Sequence, residues 1–126
     1  MIKTISTDKA PAAIGPYSQA KVVGDFVFTS GQIAINPETS EVEATTIEGQ
    51  TKQVCENIKN LLEASGSDLE SVVKTTCFLK NMEDFGAFNA IYAEYFTSKP
   101  ARSCVAVKQL PKDVLVEVET IAIVKD

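Results

Sequence analysis

Arg102, Glu117 and Glu119 are the side chains of this sequence best suited to reaction chemistry. Arg102 follows Pro100-Ala101 at the entry to a β-branched, apolar stretch. A guanidinium held by a rigid backbone grips a carboxylate through two parallel hydrogen bonds. Glu117 and Glu119 alternate with valines, so both project from the strand side that also carries Leu115, Ile121 and Ile123. A carboxylate in partly apolar surroundings is either half of a salt bridge or a base whose pKa is lifted by burial. Arg102 has the matching ambiguity, as a ligand clamp or as the structural partner of one of the two glutamates, and spacing alone does not choose.

Other residue types narrow the chemistry further. The chain has no histidine, which removes Ser-His and Cys-His nucleophile pairs, HExxH zinc sites and imidazole acid–base catalysis. Cys55, Cys77 and Cys104 are odd in number, widely spaced and without CxxC pairing, as expected of reduced thiols in the cytosol acting as small buried hydrophobes. Gly15 and Gly31 serve either a turn or a close approach of main chain to a small ligand, and neither sits in a nucleotide-binding GxGxxG or GxxxxGK[ST] loop.

Positioning these residues requires a scaffold, and its elements are readable. The pattern predicts strands over residues 17–23 and 26–30 joined at Gly24-Asp25, with a short extended piece at 33–35. Thr45 and Glu48 have capping-box spacing ahead of a helix whose stripe, Ile47, Val54, Cys55, Ile58, Leu61 and Leu62, runs up to Gly66. A strand over 73–80 alternates Val73, Thr75, Cys77 and Leu79 against Lys74, Thr76, Phe78 and Lys80. A second helix carries Phe85, Phe88, Ile91, Tyr92, Tyr95 and Phe96 before Pro100 forbids its continuation. Strands over 103–108 and 114–124 complete the order βββαβαββ. The expected fold class is α+β, with mostly hairpin-connected strands and both helices on one sheet face.

The last strand is apolar on both sides, although a sheet covered by helices on one face should be polar on the other. This predicts a homo-oligomer, the alternative being a well-covered central strand. With 126 residues the chain suits one domain, 1–126, and 44% hydrophobic with 23% charged residues places it among folded globules. A net charge of −5 with scattered lysines argues against nucleic acid or anionic lipid as a main partner. Without a secretion-type leader or a membrane-length apolar run, a cytoplasmic location is expected.

Several segments, in this order and at these separations, are specific: Ala10-Pro11-Ala12-Ala13-Ile14-Gly15-Pro16-Tyr17-Ser18-Gln19, Thr29-Ser30-Gly31-Gln32-Ile33, Val73-Lys74-Thr75-Thr76, Pro100-Ala101-Arg102-Ser103-Cys104-Val105, Leu110-Pro111-Lys112-Asp113 and Val116-Glu117-Val118-Glu119. The chain resembles the reactive-intermediate deaminase (Rid) family, particularly its RidA-type members, over nearly its whole length. The resemblance implies a chorismate-mutase-like α+β homotrimer, sheets facing inward, with clefts between subunits. It also implies hydrolysis of 2-aminoacrylate-derived imines, the 2-iminobutanoate and 2-iminopropanoate class, to 2-keto acids and ammonium, without metal or organic cofactor. By that resemblance Arg102 holds the substrate carboxylate and Glu117 is the base, with Glu119 the weaker candidate. Tyr17 closes over the substrate, Ser30 and Gly31 line the cleft, Asn89 adds a polar wall, and the main chain at Cys104 binds the imine nitrogen. Two departures are a shorter 97–99 segment at the cleft rim and Val118 where Ile or Met is more usual. A non-catalytic binder of 2-keto acids such as 2-ketobutyrate is the main rival. An RNA-cleaving role ranks last, given the acidic charge and missing histidine.

Overall fold

The structure is a computed structural model, described here for residues 1–125. Strands β1 (Ile2–Ile5), β2 (Ala20–Val23) and β3 (Phe26–Thr29) form an antiparallel meander. Gly24, at φ 58°, makes the tight β2–β3 turn, a backbone state that costs glycine nothing. A two-stranded ribbon, β4 (Ile35–Asn36) and β5 (Glu41–Val42), leads into α1 (Ile47–Ala64). Then come β6 (Val72–Leu79), α2 (Phe85–Tyr95), β7 (Ala101–Ala106) and β8 (Val116–Ile123). The main sheet has the order β1-β2-β3-β8-β6-β7 and is antiparallel except for β6 and β7, which run parallel because α2 carries the chain back between them.

This is the expected α+β class, with corrections. In the main sheet, among the described residues, only β2 and β3 are joined by a tight hairpin. The chain instead inserts β8, its last strand, between β3 and β6, where both of its edges are paired. Strands β1 and β5 escaped the sequence reading because each is short and has little alternation. Residues 17–19 are loop, and the Gln19 side-chain amide ties that loop to the backbone of Thr7, Ala10 and Pro11. The α1 cap is Thr46, not Thr45, and its hydroxyl accepts from the Gly49 N–H at 3.1 Å. The far end is as expected: Gly66, at φ +81°, closes a Schellman turn in which Ser67 N–H reaches Leu62 O and Gly66 N–H reaches Glu63 O.

The core lies between the helices and one sheet face. Val54, Cys55, Ile58, Leu61 and Leu62 of α1, with Phe88 and Tyr92 of α2, cover Thr75, Cys77 and Leu79 of β6 and Val116, Val118 and Ala122 of β8. Each fully buried Leu or Ile contributes roughly 1.5–3 kcal/mol by leaving water. Val73 does not join this face as the alternation suggested. A bulge between Val72 and Lys74 shifts the register, so Val72 is buried and Val73 exposed. Helix α2 stops at Tyr95, five residues before Pro100, and Phe96 folds back to stack on Tyr92 with ring centroids 4.4 Å apart.

The second sheet face carries no helix. Phe26, Phe28 and Val105 remain 43%, 42% and 47% exposed, and the strand pairing sets Ile121 and Ile123 beside the two phenylalanines. Among the described residues no helix is long and apolar enough to cross a membrane.

Candidate functional site

Glu117 lies on the open face of β8, opposite Phe78, while its neighbours Val116 and Val118 point into the core. Its side chain enters a hollow of about 560 Å³ whose walls include Pro11, Tyr17, Ser30, Gly31, Ile33 and Lys112. The floor is stiff. Gln32 and Val118 exchange backbone hydrogen bonds at 2.8 and 3.1 Å, Ser30 N–H donates to Gln19 O at 2.9 Å, and the Ser30 hydroxyl donates to Ser18 O at 2.6 Å. Tyr17 stands at the rim, 53% exposed, in a turn closed by its N–H to Gly15 O. Among the described residues Glu117 has no hydrogen-bond or ion-pair partner. Burial, and secondarily the charge of Glu119, push its carboxyl above the ordinary carboxylate pKa. Glu119 itself is exposed and borders a separate shallow hollow with Lys74 and Thr76.

Arg102 and Cys104 are elsewhere. In the parallel β6–β7 register Arg102 pairs with Thr75 and Cys104 with Cys77, so both side chains share the helix-facing side of the sheet. The guanidinium lies 5.0 Å from the Tyr92 ring centroid and 5.3 Å from that of Phe85, and its Nη1 donates to Asn89 Oδ1 at 2.7 Å. Tyr92 is held in turn by a 2.7 Å bond between its hydroxyl and Thr75 Oγ1. Arg102 has no carboxylate partner among the described residues, so within one chain it is not the structural mate of Glu117 or Glu119. A hollow of about 480 Å³, bounded by Asn89, Tyr92, Phe96, Lys99 and Pro100, opens at the guanidinium. The short 97–99 segment forms its rim, with Lys99 at φ 56° and the Thr97 hydroxyl donating to Glu70. Burial raises the Cys104 thiol pKa, and the Cys77 thiol is pushed up to about 12, so neither is a ready nucleophile.

The expected site residues therefore form two groups: Tyr17, Ser30, Gly31 and Glu117 in one hollow, and, on the opposite side of the sheet of the same chain, Asn89 and Arg102 at another, with Cys104 outside it, two residues along β7. The sequence does not show which of these residues one chain brings together, although the resemblance implied clefts between subunits. Sequence reasoning also missed Lys112, Ile33 and Ile35 as walls, and Gln19 as the clamp of the loop that presents Tyr17. Gln19 carried a faint signal as a polar residue at a strand start; the apolar wall residues carried none.

Comparisons with known proteins bear on this arrangement. Residues 7–124 match the family model described as Endoribonuclease L-PSP. A RutC family protein of Pyrococcus abyssi is 55% identical over 121 residues, covering 95% of each chain. The Escherichia coli K12 protein named 2-iminobutanoate/2-iminopropanoate deaminase is 49% identical over 127 residues, covering 98% of each. Among solved structures, RidA from the Antarctic bacterium Psychrobacter sp. PAMC 21119 superposes with a TM-score of 0.92 at 44% identity, covering 97% of this chain and 99% of that one. By sequence along its whole length and by fold, the chain belongs to the YjgF/RidA family.

Proposed function

We propose that this protein hydrolyses short 2-imino acids to 2-keto acids and ammonium, at clefts that adjoining copies build together. The observation that carries the reading is a complementary pair of unpaired groups. Arg102 is oriented by Asn89 and two aromatic rings yet has no carboxylate partner among the described residues, and Glu117 is a half-buried carboxylate with a raised pKa and, among those residues, no partner either. In the reaction Arg102 takes the substrate carboxylate in a bidentate grip. Glu117 removes a proton from a water that attacks the imine carbon, and a C–O bond forms as the C=N π pair moves to nitrogen. Glu117 returns that proton to the nitrogen, giving a carbinolamine, then takes the proton of the new hydroxyl and passes it to the same nitrogen, so the C–N bond breaks as the O–H pair forms the carbonyl and ammonia leaves. Tyr17 covers the substrate, Ser30 and Gly31 shape the wall, and the Cys104 main chain binds the imine nitrogen. No step calls for a cofactor.

Because the two groups occupy opposite sides of the sheet, the reading needs a second copy, and the uncovered apolar face supplies the surface for it. We take the assembly as a chorismate-mutase-like homotrimer, sheets facing inward, of a single cytoplasmic domain. The name of the E. coli relative supports this activity; the net charge of −5 weighs against an RNA substrate.

The test couples the protein to a serine or threonine dehydratase and follows imine decay for the native chain, Arg102→Ala and Glu117→Ala. Both variants are expected to lose the acceleration while staying folded. Imine decay untouched by the native protein, alongside saturable 2-ketobutyrate binding, would replace the enzyme with a 2-keto acid sensor.

A further inference from the structure

Gly31 has a neighbour that explains its lack of a side chain. An alanine Cβ built there falls 2.5 Å from Glu117 Oε2, 2.8 Å from Cδ and 3.0 Å from Cγ. Nonbonded carbons rest about 3.5–4.0 Å apart, so all three overlaps are repulsive. Backbone conformation gives no competing reason for glycine. Gly15, Gly24 and Gly66 occupy the left-handed region, whereas Gly31 does not, and alanine could adopt its φ. Nor can the main chain retreat from the clash, since Ser30 is tied to Gln19 and Ser18 and Gln32 to Val118, the residue after Glu117.

We infer that Gly31 is a positioning residue: its bare Cα is the seat on which the Glu117 side chain lies, and that seat aims the carboxylate into the cleft. The overlap runs from Cγ outward, so rotating only the carboxylate tip does not relieve it. Glu117 would have to swing Cδ and the carboxylate off this seat about its inner torsions, with Cγ giving by a few tenths of an ångström. The inference rests on the reading of Glu117 as the base and assigns the geometry that makes it effective. A misplacement of about 1 Å at such a group can cost on the order of 10²-fold in rate.

The experiment is a double-substitution cycle on the full-length protein, using Gly31→Ala, Glu117→Asp, both together, and Glu117→Gln, with imine decay measured across pH. Gly31→Ala is expected to lower kcat by about 10–100-fold with KM close to native, because Arg102 still holds the carboxylate. Its acid limb should move down toward the ordinary carboxylate range, as the displaced group leaves its half-buried seat. The charged side chains flanking that seat, Lys112 on the facing loop and Glu119 on the same strand, are unchanged in every variant. Glu117→Asp lacks one methylene, so adding Gly31→Ala to it should cost little more, giving strong non-additivity. Native kcat and an unmoved acid limb in Gly31→Ala, with Glu117→Gln inactive, would overturn the seat and leave the base reading standing. A fully active Glu117→Gln would remove the base reading and the seat with it. Should Gly31→Ala fail to fold, a folded Gly31→Ala/Glu117→Asp chain supports the seat, and a double variant that also fails to fold refutes it.

Discussion

Mixing two inactive variants should restore activity. Arg102 sits on β7 and Glu117 on β8, with β6 between them, so they are separated by two strand spacings of about 4.8 Å and also project to opposite sides of the sheet. A 2-imino acid has a single C–C bond of about 1.5 Å between its carboxylate and imine carbons, and attack needs reacting atoms about 3–3.5 Å apart. One chain therefore cannot present both groups to one substrate. In a closed ring, each site would take Glu117 from one copy and Arg102 from its neighbour. Random assembly of Arg102→Ala with Glu117→Ala chains in equal amounts gives each site a native glutamate half the time and a native arginine half the time. About a quarter of sites are then fully native, so about a quarter of native activity should return. The parent variants lack a base or a clamp and should lie roughly 10²–10⁴-fold below native, which makes the regain easy to see. The two chains, carrying different tags, are co-refolded, native mass spectrometry verifies that hybrids exist, and imine decay is timed. Verified hybrids no faster than their parents would refute the shared-site reasoning.

Arg102→Lys is not expected to substitute for the native residue. Lysine loses the fork and the flat contact with Phe85 and Tyr92, and a lost charged hydrogen bond of about 1.5–3 kcal/mol predicts a KM roughly 10–100-fold higher in steady-state imine decay. Activity should fall with acid as Glu117 takes up its proton, with a midpoint above the usual carboxylate value because burial disfavours the charge. Glu119→Gln should move that midpoint down in a pH–rate profile, since the Glu119 charge helps hold the proton on Glu117. The sign for stability is opposite to that of an ion-paired carboxylate. The native state binds this proton more tightly than the unfolded chain, so Glu117 costs stability as pH rises through its raised pKa, and Glu117→Gln should melt higher than native at neutral pH. Gln19→Leu should cost about 1–3 kcal/mol in urea unfolding by orphaning the Thr7 N–H and the carbonyls of Thr7 and Pro11, and should raise KM by loosening the Tyr17 loop.

The legible parts of the fold were those where one face is buried and the element is long. The α1 stripe and the alternation of β8 each repeat enough times to stand above noise, and each buries the residues that its period selects. Failures fall where the period is cut short or broken. Strand β1 has four residues with only Ile5 buried, and a bulge in β6 exchanges the roles of Val72 and Val73. Hairpin connection was overestimated because local sequence says nothing about which strand a distant one will join. The place of β8 between β3 and β6 is decided by long-range pairing. At the candidate site the sequence names residue types suited to the proposed chemistry, and side-of-sheet was half legible. Alternation puts Glu117 opposite in sense to Val118, but relating Glu117 to Arg102 needs the register of two further strands, and no pattern within either strand encodes it.

The open sheet face links assembly to reactivity. Its exposed Phe26, Phe28 and Val105 and its half-buried Ile121 and Ile123 surround the same β8 side from which Glu117 projects. A partner copy laid on that surface would remove apolar area from water, about 25 cal/mol for each Å², and would also strip solvent from the Glu117 carboxylate. The first effect favours association, and the second raises further the proton affinity that burial within one chain has already begun to lift. A general base works best when its pKa approaches the working pH while it remains largely ionised there. In such an assembly the doubly apolar last strand and the perturbed glutamate within it would serve one end, because the surface joining the copies would also be the surface that raises the pKa of the proposed base.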